Sequence, residues 1–516
     1  EGTLTWWAIG ASLTASNISA EQFIGMSGEG FFLGVAVAAY EWVAAIALII
    51  IAIWFIPVYL KNKIYTMPQF LKTRYNESTA LIMAVFWLFL YVFVNLTSIL
   101  YLGAVAINGL AGGEYLHLIM ICLALFALII SLGGMKVVAY TDVIQVAVLI
   151  IGGLVTSYIA LTVVAEHFGV SGAIAGFNKL MEQAPEHFKM IIPEPTANSP
   201  QIEVDKYLTF PGLMSYLAGI WIINLNYWGC NQYITQRALG ADLQTARTGI
   251  LFAGFLKLLM PVIVMLPGIA AYVLHQNGAL PQLVGGKDGA YSAMLTFLPT
   301  GLKGLSVAAL TAAIVASLAG KVNSISTIYT LDVHKKYIQK DATDRAQVNI
   351  GRYAVFAAML LAVLFTWDDL LGIGGEGGFT FIQKYTGFIS PGVFAMFILG
   401  MFWKRTTGTA AIVGVIAGFL LSVLFNEFAP ALFGNETLLY TAYMNGKGIY
   451  EIPFHICMGL SFMFTMILMV AISMAGPKVN PKAFELDTEM FKIKPQTTVL
   501  IVITLLIIFA LYAKFW

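Results

Sequence analysis

Thirteen apolar stretches, each long enough to cross a lipid bilayer, divide this sequence. A helical crossing needs about 20 apolar residues. Such runs fall near 4–25, 32–60, 79–111, 115–133, 141–165, 211–234, 246–275, 302–331, 349–371, 377–402, 407–427, 454–475 and 497–514. Hydrocarbon offers no water to free N–H and C=O groups, so these runs predict an all-α polytopic membrane protein. Composition agrees: 11% of residues are charged, against about 25% in soluble domains. The loop charges order the spans. Of the 28 Lys and Arg, eighteen fall in one alternating set of loops, seven in the other and three inside spans. The positive-inside rule places the richer set in the cytoplasm, so the first span runs outward. A net charge of +1 gives no reason to expect a nucleic-acid partner. Cys122, Cys230 and Cys457 all lie in apolar runs and read as core residues, not as a disulfide or metal site.

The first stretch differs from the rest. Its flanks are apolar, but its centre carries Ser12, Thr14, Ser16, Asn17, Ser19, Glu21 and Gln22. Two readings fit. Polar or non-helical backbone at membrane depth is tolerated where it lines a cavity, which suggests a broken helix holding an ion or solute. A helix–helix seam of small, self-satisfied hydroxyl residues is the other reading. The sixth stretch repeats the pattern, with Asn224, Asn226, Tyr227 and Asn231 crowded at mid-depth. Spans one to five and six to ten have opposite topology, and each set opens with an interruption. Paired interruptions in two inverted halves point to a transporter binding site; chance likeness of two Gly-bearing helices is the alternative. The sequence divides as residues 1–166, an external loop 167–210, residues 211–403, and three further spans in 404–516. The tenth span breaks at Ser390-Pro391-Gly392.

Charges inside spans are costly and by default functional. Glu41 lies about nine residues, or ~13 Å, from the outer end of the second span, near the midplane. Lys257 lies at similar depth in the seventh. A purely structural Glu–Lys pair is the competing reading. Gln22, Asn224 and Gln383 add amides at comparable depth, with Tyr40, Tyr227 and Phe379 nearby in sequence. One carboxylate, one ammonium, three amides and aromatic rings suit a neutral polyhydroxylated solute, whose hydroxyls need donors and acceptors. Ser317 in the eighth span, with free carbonyls from a broken first span, can replace the water shell of Na⁺; in isolation such a Ser bonds its own helix. Lys321 reads as snorkelling toward the cytoplasm. Asp142, at the inner end of the fifth span, reads as a helix-terminal acid or part of a cation exit. Gly372-Ile-Gly-Gly-Glu-Gly377 matches a dinucleotide fingerprint, but no strand precedes it, and it reads as a hinge. No nucleophile–base pair or metal-ligand spacing appears at mid-depth, which argues against an enzyme.

Four segments carry a resemblance: Thr14-Ala-Ser-Asn-Ile-Ser-Ala-Glu-Gln-Phe-Ile-Gly25, Gly133-Gly-Met-Lys-Val-Val-Ala-Tyr-Thr-Asp-Val-Ile-Gln145, Asn226-Tyr-Trp-Gly-Cys-Asn-Gln-Tyr-Ile-Thr-Gln-Arg-Ala238 and Gly400-Met-Phe-Trp-Lys-Arg405. The chain resembles the sodium/solute symporter family, in its sodium/sugar branch, over its whole length. The resemblance implies a five-plus-five inverted-repeat (LeuT-like) core with additional C-terminal helices; the family pattern has one more helix ahead of that core. It implies Na⁺-driven uptake of galactose or a related hexose across a bacterial inner membrane. It leaves open a homodimer and another solute, such as proline, sialic acid or an inorganic anion; a channel or sensor is a further alternative. The family's sugar contacts fall on Gln22, Glu41, Asn224, Lys257 and Gln383. Its outer gate falls on Met26, Tyr40 and Phe379, and its inner gate on Tyr227, steadied by Asn17. Its sodium ligands fall on carbonyls of Ala15, Ile18 and Ala313 and the hydroxyl of Ser317. Two positions depart: Ala44 and Ala316 stand where the family has Ser. Each removes a hydroxyl, which implies weaker sugar and sodium binding or a water in the gap.

Overall fold

The computed structural model describes residues 5–133, 135–231, 235, 238–280 and 283–516; for 135–145 it describes the backbone alone. Nine elements position the site: α1 (Trp6–Asn17), α2 (Ala20–Leu33), α3 (Ala39–Ile50), α4 (Gly219–Gly229), α5 (Leu243–Lys257), α6 (Met260–Gln276), α7 (Thr300–Thr327), α8 (Gly378–Thr386) and α9 (Ser390–Phe402).

The first span is a broken helix. Ile18 and Ser19 are extended, and the Ser19 hydroxyl caps α2 by accepting from the Gln22 N–H at 3.4 Å. Ser19-Ala-Glu-Gln22 is the sequence form of a capping box. Only half of it forms, because the Gln22 side chain is engaged elsewhere. Glu21, in the first turn of α2, complements the helix dipole. The hydroxyls before the break are satisfied locally: Thr14 donates to the Gly10 carbonyl at 3.0 Å and Ser16 to that of Leu13 at 2.8 Å. The span is thus broken, and the hydroxyls of Thr14 and Ser16 before the break bond their own helix.

The chain reverses after α2. Gly34, at φ +79°, leads into a tight turn through Ala38. A continuous helix would separate residues 22 and 41 by about 28 Å, yet their side chains hydrogen-bond at 2.6 Å. Among the described residues, nine helices, two bent pairs and the shorter Leu116–Leu132 are apolar enough to cross a membrane. The helices long and apolar enough to cross a membrane thus number nine to eleven among the described residues, against thirteen expected spans.

Two interruptions sit elsewhere than expected. The sixth span bends by 78° at Tyr216–Ala218, leaving Asn224 inside regular helix α4. Pro211 and the positive φ of Gly212 weaken the helix there, and the Trp221 indole N–H caps the freed Tyr216 carbonyl at 2.9 Å. The tenth span bends by 49° between Thr386 and Ser390. Pro391 then lies in the first turn of α9, where a missing N–H costs nothing. Cys122, expected in the core, is exposed, whereas Cys230 and Cys457 are buried.

The inverted halves interleave. α1 and α3 pack on α5, α2 packs on α6 and α8, and α4 packs on α3. The break at Ile18–Ser19 therefore faces the middle of the α5–α6 span.

Candidate functional site

At that level the polar side chains form one connected network. Gln22 donates from Nε2 to Glu41 Oε1 at 2.6 Å, and Lys257 Nζ meets Glu41 Oε2 at 2.6 Å. Lys257 also donates to the Asn17 side-chain carbonyl, and Asn17 Nδ2 donates to the Tyr227 hydroxyl at 3.2 Å. The Lys257 ammonium lies 5.0 Å from the Trp228 ring centroid. Five residues from α1, α2, α3, α4 and α5 are thus joined, and Glu41 and Lys257 are both buried. A buried pair survives only with good geometry and further hydrogen bonds, and both conditions hold here.

Two expected contacts stand apart from the network. Asn224 is buried on α4 but donates to the Ile220 carbonyl of its own helix at 3.0 Å. Gln383, half-buried on α8, makes no side-chain hydrogen bond among the described residues. Ala44 is buried on α3, one turn after Glu41.

Above the network, Met26, Tyr40 and Phe379 are buried in one apolar cluster. The Tyr40 and Phe379 rings meet edge-to-face, with centroids 5.0 Å apart. The Tyr40 hydroxyl bonds His455 Nε2 at 2.8 Å, and His455 Nδ1 bonds the Ser215 hydroxyl at 2.8 Å. His455 was not legible as a partner of Tyr40, since a lone His at the end of a span carries no pattern.

Below the network, α1 ends at Asn17, so its last carbonyls, including those of Ala15 and Ile18, lack intrahelical donors. α7 carries Ala313, Ala316 and Ser317. Carbonyls at a helix C-terminus plus a hydroxyl form a donor set suited to a small hard cation. The Lys321 ammonium lies 4.4 Å from the Tyr91 ring centroid. The ring offers a closer electrostatic partner than bulk water. The side chain of Asp142 lies outside the described residues.

The family model of the sodium:solute symporters matches residues 1–418. The chain belongs to the sodium:solute symporter family. Among relatives of this symporter, the sodium/glucose cotransporter of Vibrio parahaemolyticus is 42% identical across 100% of this chain and 91% of that protein. Sodium/glucose cotransporter 1 of Ovis aries is 31% identical over 92% of this chain and 73% of its own length. The sodium/myo-inositol cotransporter 2 of Mus musculus is 34% identical, with 82% and 64% covered. In fold, the symporter matches a Na⁺-coupled sialic acid symporter in a substrate-bound outward-open state, with TM-score 0.70 at 18% identity over 93% of this chain and 92% of that one. Mhp1, a nucleobase-cation-symport-1 family transporter in a closed conformation, gives TM-score 0.52 at 13% identity over 93% and 95%. The fold is the five-plus-five inverted repeat with added C-terminal helices.

The symporter also holds an outer polar cluster that sequence reasoning missed. Glu29 Oε1 pairs with Lys287 at 2.8 Å and accepts from Thr380 at 2.7 Å. Both carboxylate oxygens of Asp288 accept from the Gly378 N–H, at 3.0 and 3.2 Å. Gly377, at φ +83°, sits where a Cβ would lie 2.3 Å from Lys287 Cε, so only glycine fits the closed cluster. The glycine run read as a hinge is thus also a close-packing surface. The one available signal was a carboxylate, Glu29, inside an apolar stretch.

Proposed function

We propose that this chain couples inward Na⁺ flow to uptake of a neutral hexose, galactose or a close relative, by alternating access in a bacterial inner membrane. The observation that carries the reading is Glu41 shared between the Gln22 amide and the Lys257 ammonium at mid-depth. A sugar hydroxyl both donates and accepts. Glu41 supplies the acceptor, and Gln22 and Lys257 supply donors, so an entering sugar exchanges existing bonds instead of exposing bare charge. Gln383 on α8 and Asn224 on α4 flank this core as further contacts. Met26, Tyr40 and Phe379 form the outer gate, and Tyr227 the inner one.

Asn17 links the two cargoes. Its side chain holds Tyr227 and Lys257, and it lies between Ala15 and Ile18 in sequence. Na⁺ held by carbonyls of Ala15, Ile18 and Ala313 and by the Ser317 hydroxyl ties α1 to α7 and fixes Asn17. Coupling then requires only that Na⁺ bind one state more tightly than the other. Loss of Na⁺, leaving past Asp142, frees Asn17 and with it the Tyr227 gate. Residues 1–166 and 211–403 serve as the two repeats that move against each other, 167–210 as the external loop, and 404–516 as outer helices. The helix Pro495–Phe515, little buried and strongly apolar, meets lipid. The chain performs transport and no covalent chemistry.

The test is labelled galactose uptake into proteoliposomes under an inward Na⁺ gradient, with proline and sialic acid beside it. Concentrative, Na⁺-dependent galactose uptake that Gln22→Ala and Glu41→Ala both abolish is expected. Sugar uptake indifferent to Na⁺, or flux that never concentrates solute, overturns the reading.

A further inference from the structure

The cation site as proposed is one hydroxyl short, because Ala316 replaces a Ser. Na⁺ is a hard cation and takes several oxygen ligands, anionic ones being strongest. Three carbonyls and the Ser317 hydroxyl make a neutral and sparse set. The structure puts a carboxylate beside it. Glu21 stands in the first turn of α2, three residues past Ile18. Its carboxylate is within hydrogen-bond reach of the Ser317 and Ser19 hydroxyls. Its Oε2 is buried and has no hydrogen-bond partner among the described residues. Lys321, one turn beyond Ser317, is its nearest cationic counterpart, but it rests over Tyr91 and closes no ion pair with Glu21 among the described residues.

A buried carboxylate oxygen with no partner is unfavourable in an apolar interior. Such an oxygen fits a small cation held between α1 and α7. We propose, on the strength of the cation site argued above, that Glu21 is an anionic ligand of that site and stands in for the hydroxyl missing at Ala316. Ser317 offers an oxygen lone pair to the cation while its O–H donates a hydrogen bond to the Glu21 carboxylate, so one hydroxyl serves both. Lys321 is a positioning residue: its charge balances Glu21 when the site is between cations, from a distance that leaves the carboxylate free.

Cation binding is read without transport, by thermal unfolding of the purified full chain in NaCl against choline chloride at constant ionic strength. A ligand that binds only the folded state raises the unfolding temperature in proportion to its affinity. Glu21→Gln is expected to raise the Na⁺ concentration for half-maximal stabilisation about tenfold or more, the loss of one strong ligand. Ala316→Ser in the Glu21→Gln background is expected to recover most of that loss by returning the second hydroxyl. Should Glu21→Gln fold poorly, Glu21→Asp keeps the charge on a shorter arm and is expected to fall between the two. A midpoint for Glu21→Gln within twofold of the parent overturns the assignment. Recovery by Ala316→Ser in Glu21→Gln separates a ligand from a packing residue, and failure to recover counts against the proposal. If the parent chain itself shows no Na⁺-specific stabilisation, the underlying cation site falls, which is a different result from an unshifted Glu21→Gln.

Discussion

Glu41 takes an amide on one oxygen and an ammonium on the other, and the two partners come from two other helices, α2 and α5. Removing one member of such a buried pair strands the other charge, at a cost of about 3–5 kcal/mol, whereas removing both is far milder. Lys257→Met and Glu41→Gln are therefore each expected to lower the unfolding temperature sharply in sugar-free detergent. The double variant is expected to recover most of that loss while remaining inactive in uptake. A double variant as unstable as the sum of the singles would show that the two charges do not act as a pair. The charges themselves were legible in the sequence, since Glu41 and Lys257 interrupt apolar runs and such interruptions are expensive. Their joining through Asn17 and Gln22 was not, because partner choice depends on how α1 and α3 lie on α5. Lys321 shows the limit clearly. Its long arm permits either a reach to the surface or a turn onto Tyr91, and only packing decides between them.

At the level of elements, the break in the first span was visible as a polar run, and its cause lies in Ser19 as a cap. The sixth span breaks at Tyr216–Ala218 and not at the amides of Asn224 and Asn226, which a regular helix accommodates, because Pro211 and Gly212 weaken the helix ahead of them. The external loop offers a sharper case. His187 is buried against α2 and α6, where its Nε2–H donates to the Phe31 carbonyl at 2.8 Å and its ring stacks on Tyr272 at 3.8 Å. Burial pushes its pKa down to about 4, with Lys206 nearby acting in the same direction and Glu186 opposing. A histidine held neutral in the folded state binds fewer protons there than when released. Loop docking is thus at full strength above about pH 6.5 and weakens as pH falls from there toward about 4. Hydrogen exchange across residues 185–192 is expected to quicken between pH 7 and pH 5, relative to the intrinsic rate. His187→Gln, which keeps a donor but cannot charge, should remove that pH dependence. Equal pH dependence in both proteins would exclude His187 as its source.

For the whole molecule, the outer cluster of Glu29, Lys287, Asp288 and Thr380 ties α2, the loop before α7, and α8 together on the side where Tyr40 meets Phe379. It therefore braces, from a second layer, the outer gate proposed above. Its charges are unequal in kind. Glu29 has a cation at 2.8 Å, whereas Asp288 faces Lys287 but also Glu29 and Asp369. Burial, ahead of those charges, raises the Asp288 pKa from 3.8 to about 7. When the gate opens, water reaches Asp288 and the acid returns toward its ordinary value, so the closed state binds more protons between about pH 4 and pH 7. Closure is then favoured by acid, and rising pH shifts the population outward-open until Asp288 is ionised in both states. Two results follow from this sign. Lys287→Ala, which leaves Glu29 buried without its cation, is expected to favour opening at every pH, seen as faster labelling of Met26→Cys from outside. In the parent background, the Met26→Cys labelling rate divided by that of the Asp288→Asn protein is expected to rise between pH 5 and pH 8, the division cancelling the thiol's own titration. A ratio that stays flat across this range would mean that Asp288 does not change its surroundings when the gate opens, and that the cluster travels with the gate as a rigid piece.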